Sequence, residues 1–225
     1  MVELKNKFKA IIFDMDGTII RSEDAWFRAT KKILIDRNFI TLSEKQIQSI
    51  DSMPGIGLIQ SAELLKRDFK INDSVETLVN ELKLNAIEQM KTSLSFIEGF
   101  ENFHTQLQIH NIPTSIATNA DPYSLQAINN QMNLSKFFGA HIYHIGHVEN
   151  KVKPDPAIFL HAAEKLNVNP SECIVFEDSI FGFEAAKQAG MKFVAIHHPH
   201  NENHRHEVHG SITSYDDALN ILKKI

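Results

Sequence analysis

The sequence predicts an α/β protein: a Rossmann-like parallel sheet with helices on both faces, plus an inserted all-helical module. Two observations carry this expectation. From Phe100 onward, short apolar runs alternate with helix-period segments, the pattern of strand and crossover helix in a parallel sheet. Upstream, one strand-like run, Phe8 to Phe13, is followed from about Arg21 to Ile97 by helical patterning with no convincing strand. At 225 residues and about 150 per domain, one domain with a sizeable insertion fits the length. The expected division is a core of residues 1–20 and 98–225 and a helical module of 21–97.

Each element has its own local reason. The apolar end of Phe8 to Phe13 suits a strand buried on both faces. In Ser22 to Arg37, residues Ala25, Trp26, Ala29 and Ile33 recur at helical spacing. Ser43-Glu44-Lys45-Gln46 has the form of a capping box, and Ser74 to Met90 sets Val75, Leu78, Val79, Leu82 and Met90 on one stripe. Phe100, Phe103 and Leu107 mark a helix, and Pro113 to Ala117 reads as a strand. Asp121-Pro122 pairs an N-cap with proline at N1, opening a helix through Leu125 and Ile128; Asp155-Pro156 repeats the signal before Phe159, Ala162 and Leu166. His141 to Ile145, Cys173 to Phe176 and Lys192 to Ile196 read as strands. Ser179 to Ala189 is a helix closed by Gly190, and Tyr215 to Leu222 a last helix.

Composition excludes several function classes. Hydrophobic residues are 43% and charged residues 23%, as in ordinary globular proteins. The net charge is −5 with no stripe of Lys and Arg, so nucleic acid is not an expected partner. Cys173, the sole cysteine, permits no intrachain disulfide and sits in an apolar run, as a buried small hydrophobe would. No run approaches the roughly 18 to 20 apolar residues of a membrane span, and the early run Ala10 to Phe13 meets Asp14 and Asp16 at once, unlike a secretory leader. A cytoplasmic monomer is the expectation.

Ligands of open parallel sheets bind beyond the carboxyl ends of the strands. The expected strands end in Asp14 and Asp16, in Thr118-Asn119, near Lys151 and Lys153, and in Glu177-Asp178-Ser179. If these tips converge, several carboxylates share one crevice and repel unless a cation joins them, and Mg²⁺ with oxygen ligands is the natural occupant. The metal and Lys153 could then hold a dianionic phosphoryl group near Asp14, Gly17 would permit close backbone approach, and Thr118 could donate to a phosphoryl oxygen. A mere solvated turn would account for Asp14 and Asp16 but for none of the other tips. An EF-hand is excluded, since Gly17 stands at loop position 4 instead of 6. The segment His197 to His209 holds six histidines at irregular spacing, which favours an exposed loop over a zinc site.

Asp14-Met15-Asp16-Gly17-Thr18, Thr118, Lys153-Pro154-Asp155-Pro156 and Glu177-Asp178-Ser179 with Gly182, Ala185, Ala186, Ala189 and Gly190 together resemble the haloacid dehalogenase superfamily. The likeness is to its phosphatase and phosphomutase branch, with a helical cap inserted after the first strand. It implies that Asp14 is a nucleophile forming an aspartyl-phosphate. Asp16 would protonate the leaving oxygen and then activate water, its backbone carbonyl binding Mg²⁺. Asp14 and Asp178 would be further metal ligands and Glu177 a ligand or a neighbour of one; Thr118, Asn119 and Lys153 would grip the phosphoryl oxygens. The cap would close over the site and select the leaving group.

The acid at position 16 disfavours carbon–halogen cleavage, because a departing halide needs no proton. A sugar phosphomutase of the β-phosphoglucomutase kind would be expected to carry an arginine in the early cap loop, yet Asp51 to Leu58 has no basic residue, although Lys66 or Arg67 could serve. The expected function is a Mg²⁺-dependent phosphatase of a small phosphomonoester, such as a sugar phosphate, phosphoglycolate or a nucleotide. The alternatives are the phosphomutase and a catalytically silent binding protein on the same fold, which intact Asp14, Asp16 and Asp178 disfavour.

Overall fold

The computed structural model describes residues 7–53, 56–204 and 206–225, with backbone only at 199 and 200. Residues 1–6 of the expected core segment, Pro54 and Gly55 of the loop scanned for a basic residue, and Arg205 lie outside them. Six strands, β1 Ala10–Phe13, β2 Thr114–Thr118, β3 Ile142–His144, β4 Cys173–Glu177, β5 Lys192–Ile196 and β6 Gly210–Ile212, form one sheet in the order β3-β2-β1-β4-β5-β6, every neighbouring pair parallel. The chain builds β2 and β3 on one side of β1 and then returns to place β4 on the other. That reversal leaves a crevice at the carboxyl ends of β1, β2 and β4.

Alternation along β1 sends Ile11 and Phe13 to one face and Ala10 and Ile12 to the other. The first face packs on α5 (Phe100–Ile109), α6 (Pro122–Met132) and α10 (Ala218–Leu222). There Phe13 lies among the rings of Phe100, Phe103, Phe138, Phe176 and Tyr215, at centroid distances of 5.3 to 6.3 Å. The second face packs on α8 (Ala157–Leu166) and α9 (Ile180–Gln188).

Between β1 and α5 run four helices, α1 Glu23–Asp36, α2 Glu44–Asp51, α3 Leu58–Asp68 and α4 Val75–Ser93. Their cluster of Ile33, Leu34, Leu65, Phe69, Leu78 and Leu82 is separate from the sheet's. Ala25 and Ala29 of α1 and Ala86 and Met90 of α4 join the sheet's own cluster instead, so these two helices anchor the insertion. At their base the two chain crossings run side by side, Arg21 N donating to Ser95 O (2.9 Å) and Ile97 N to Ile19 O (3.0 Å). A second tie is Lys83 of α4 at 3.1 Å from Asp121.

The local signals mostly act where expected. The Ser43 capping box forms at α2, Ser74 caps α4, and Asp121 caps α6 with Pro122 at N1. At α8 the start shifts by one: Pro156 is the N-cap, and Asp155 instead accepts from Ala157 N (2.9 Å). Phe8 is buried but precedes the ladder, β2 runs on through Thr118, and the last helix is a 3₁₀ turn, Tyr215–Asp217, followed by α10. The short helix α7 (Ser135–Phe138) and strand β6 have no counterpart in the sequence reading. Nor is the histidine-rich segment a simple exposed loop: it begins as a 3₁₀ turn, Pro199–His204, its Asn201 is 2% exposed, and it leads into β6. Among the described residues, no helix is long and apolar enough to cross a membrane.

Candidate active site

The backbone beyond β1 turns sharply because Gly17 adopts φ +74°, a conformation that disfavours side chains. A Cβ there would also stand 2.3 Å from Asp178 Oδ2, so the glycine lets the ends of β1 and β4 meet. Thr18 Oγ1 donates to Asp178 Oδ1 (3.0 Å), and the Tyr215 hydroxyl, rising from the core, donates to Thr18 O (3.0 Å). From behind, Asn201 Nδ2 donates to the carbonyls of Asp178 (2.6 Å) and Ile196 (2.8 Å). His198 Nε2 lies 3.0 Å from Gly17 O, and its Nδ1 lies 3.1 Å from Glu23.

Lys153 is the centre of the charged network. Its Nζ lies 2.5 Å from Asp14 Oδ1 and 2.7 Å from Glu177 Oε2, with all three side chains buried. Glu177 Oε1 accepts from the amides of Asp178 and Ser179 and from Ser179 Oγ (3.0 to 3.1 Å), so both its oxygens are engaged. Gly182 of α9 makes room for this carboxylate, since a Cβ there would lie 1.9 Å from its carbon. Asn119 Oδ1 accepts from Lys153 N (2.9 Å), and its buried Nδ2 has no protein partner. Thr118 Oγ1 accepts from Ala120 N (3.0 Å).

Asp16 stands on the insertion's side of the crevice. Its Oδ1 accepts from Ser22 Oγ and from Trp26 Nε1, the latter at 3.3 Å, so the only tryptophan faces the cleft.

Burial dominates the electrostatics. It pushes Asp14 up to about 8, with Glu177 adding to the rise and Lys153 opposing it. Asp178 is raised well above the carboxylate range by burial and then by Glu177 and Asp14. Asp16 is raised by burial against the hydrogen bonds from Ser22 and Trp26. Burial alone would push Lys153 down, but Asp14 and Glu177 outweigh it and hold the ammonium above its ordinary range.

Asp14, Glu177 and Asp178 bring one oxygen each within 4.8 Å of one another. Three buried carboxylates set against one ammonium leave excess negative charge, and their donors are all oxygen. A hard divalent cation such as Mg²⁺ fits that set. Glu23, Asp178 and His198 likewise bring one possible ligand atom each within 4.8 Å of one another, the histidine offering nitrogen.

A cavity of about 700 Å³ opens from these residues towards the insertion, lined by Asp14, Asp16, Thr118, Asn119, Lys153, Glu177 and Asp178 below. The seven residues expected in catalysis, phosphate binding and metal binding therefore border one space. Lys151 does not; it lies near Glu149 (3.7 Å) on the surface. Neither Lys66 nor Arg67 reaches the cavity either: Lys66 donates to the carbonyls of Asn72 and Asp73, and Arg67 pairs with Asp68. Asn201 and Tyr215 were not singled out for the site in the sequence, for each acts through hydrogen bonds to backbone carbonyls that only the folded chain brings to it.

A family model described as haloacid dehalogenase-like hydrolase matches residues 11–196. A phosphorylated carbohydrates phosphatase of Thermotoga maritima is 27% identical, over 96% of this chain and 99% of the relative. A 6-phosphogluconate phosphatase of Escherichia coli is 25% identical, over 93% and 91%. The crystal structure of a β-phosphoglucomutase from Clostridium difficile superposes with a TM-score of 0.77 at 22% identity, covering 96% of this chain and 97% of the other.

Proposed function

This chain belongs to the haloacid dehalogenase-like hydrolases, and from that premise we propose that it hydrolyses a small phosphomonoester through a phosphorylated Asp14. The observation that carries the reading is the buried contact of Asp14 with Lys153 at the strand tips, beside the unpartnered donor of Asn119. An anionic phosphoryl group would find there a nucleophile, a cation and free N–H groups together. Mg²⁺, held by Asp14, Asp178 and the Asp16 carbonyl with Glu177 alongside, would neutralise phosphoryl charge.

In the first half-reaction an Asp14 oxygen bonds to phosphorus as the ester P–O bond breaks. The departing oxygen keeps that electron pair and takes the proton of Asp16, whose raised pKa suits a general acid. In the second, water attacks phosphorus, gives its proton to Asp16, and the Asp14–phosphorus bond breaks to release inorganic phosphate. Lys153, Asn119 and Thr118 hold the phosphoryl oxygens throughout. Residues 1–20 and 98–225 form the catalytic core, and 21–97 a lid that excludes water; the enzyme acts as a cytoplasmic monomer.

Hydrolysis is preferred to phosphomutase chemistry because Lys153 is the sole lysine or arginine among the described residues lining the cavity, which leaves a second phosphate without a counter-charge. The test is phosphate release from a panel of esters, with Mg²⁺ and with chelator, by the native protein and the Asp14→Asn variant. Metal-dependent release that the variant lacks supports the reading; full turnover by Asp14→Asn overturns it.

A further inference from the structure

We infer that the leaving group this enzyme accepts is an uncharged alcohol bearing a flat heteroaromatic ring, with nucleoside 5′-monophosphates as the representative substrates. The inference rests on the phosphomonoesterase reading and narrows it.

The insertion's side of the cavity carries an apolar patch, built by Trp26, Phe27, Ile50, Met53, Ile56 and Leu82. Phe27 lines this space and is 52% exposed, so about half of its surface is left uncovered by the rest of the chain. Trp26 is placed more tightly. Its indole N–H is tied to Asp16, the carboxyl that must reach the leaving oxygen, so the first atoms beyond that oxygen come within reach of the indole. A ring carried on those atoms stacks on aromatic side chains, gaining contact that an open-chain polyol cannot make.

Charge settles the rest. On the insertion's side the described ionisable lining residues are acidic: Glu23, Asp24 and Asp51. Arg37 of the same insertion is committed to Asp73 and Glu81. A carboxylate or second phosphate on the leaving group would meet this wall with no lysine or arginine to balance it, His198 being set against Glu23, whereas ribose hydroxyls can donate to its carboxylates. About 700 Å³ accommodates a nucleoside.

The experiment compares kcat/KM for phosphate release from AMP, UMP and pyridoxine 5′-phosphate with that from glucose 6-phosphate, phosphoglycolate, 6-phosphogluconate and fructose 1,6-bisphosphate, and acetyl phosphate serves as a small control. The three heteroaromatic esters should exceed each of the others at least 30-fold. Phe27→Ala should raise KM for the preferred ring-bearing ester at least fivefold, and by more than it raises KM for acetyl phosphate. Because Trp26 is the sole tryptophan, AMP titrated into Asp14→Asn protein should also change its intrinsic fluorescence saturably. Preference for a polyol or anionic leaving group, or an unchanged KM in Phe27→Ala, overturns the inference while leaving the phosphatase intact. No release from any ester or from the anhydride acetyl phosphate overturns the phosphatase reading itself.

Discussion

Replacing His104 by phenylalanine removes an imidazole that is fully buried among the rings of Phe13, Phe100, Phe137 and Phe138, and should flatten the loss of stability in mild acid. Its Nε2 lies 2.9 Å from Thr114 Oγ1, while Nδ1 is buried with no partner, so nothing there welcomes a second proton. Burial accordingly pushes its pKa down to about 4 from 6.5. Between those values the unfolded chain binds more protons than the folded one, so stability falls as pH falls from 6.5 towards 4 and is untouched by this group above that window. At about 1.36 kcal/mol per unit, the full loss is about 3 kcal/mol, of which roughly 1.4 has gone by pH 5.5 and roughly 2.5 by pH 4.5. The Thr114 hydroxyl loses its partner in the variant, which costs about 1 kcal/mol at every pH and shifts the curve without tilting it. Urea unfolding of both proteins at pH 7.5, 5.5 and 4.5 isolates the imidazole, because all the carboxylates are shared. Parallel stability curves across that range would refute the assignment of a neutral, proton-excluding His104.

Gly182→Ala should drive a methyl group into Glu177, cost about 1 to 3 kcal/mol in thermal unfolding and cut kcat at least tenfold, since Glu177 holds Lys153. Tyr215→Phe removes only the hydroxyl that holds Thr18 O; a loss of about 1 kcal/mol is expected in unfolding, with a fall in kcat at unchanged KM. Chelation should abolish turnover, and Mg²⁺ at about a hundred times its Kd should stabilise the protein by about 2.7 kcal/mol, read as a rise in Tm; a Tm indifferent to Mg²⁺ would refute binding among Asp14, Glu177 and Asp178.

The fold was legible where a local pattern repeats: β5 lies at its expected bounds, and the caps at Ser43, Ser74 and Asp121 begin their helices. It was illegible where a short element gains its stability from neighbours. Gly210-Ser211-Ile212 has too few residues for alternation to show, and becomes a strand because β5 offers it an open edge. At the site, residues with their own chemical type at a strand end stood out, as Asp14 and Glu177 did, and Lys153 stood out through the run Lys153-Pro154-Asp155-Pro156. Asn201 did not, because an asparagine in a histidine-rich segment looks like any solvated residue until its amide is seen bridging the carbonyls of Asp178 and Ile196. Histidine 198 was likewise hidden, for only the folded chain brings it to Gly17 and Glu23.

The chain leaves the sheet at Arg21 and comes back at Ser95, and these two residues share a hydrogen bond. All four helices thus hang from a gap that a tight turn of a few residues can span. In engineering terms the helical unit is a cassette: its exchange for a differently lined one leaves the register of the sheet, and therefore the spacing of Asp14, Lys153 and Asp178, untouched. On the function proposed above, the residues that react and the wall that meets the leaving group lie on separate stretches of sequence, joined at Asp16 by the hydrogen bonds from Ser22 and Trp26.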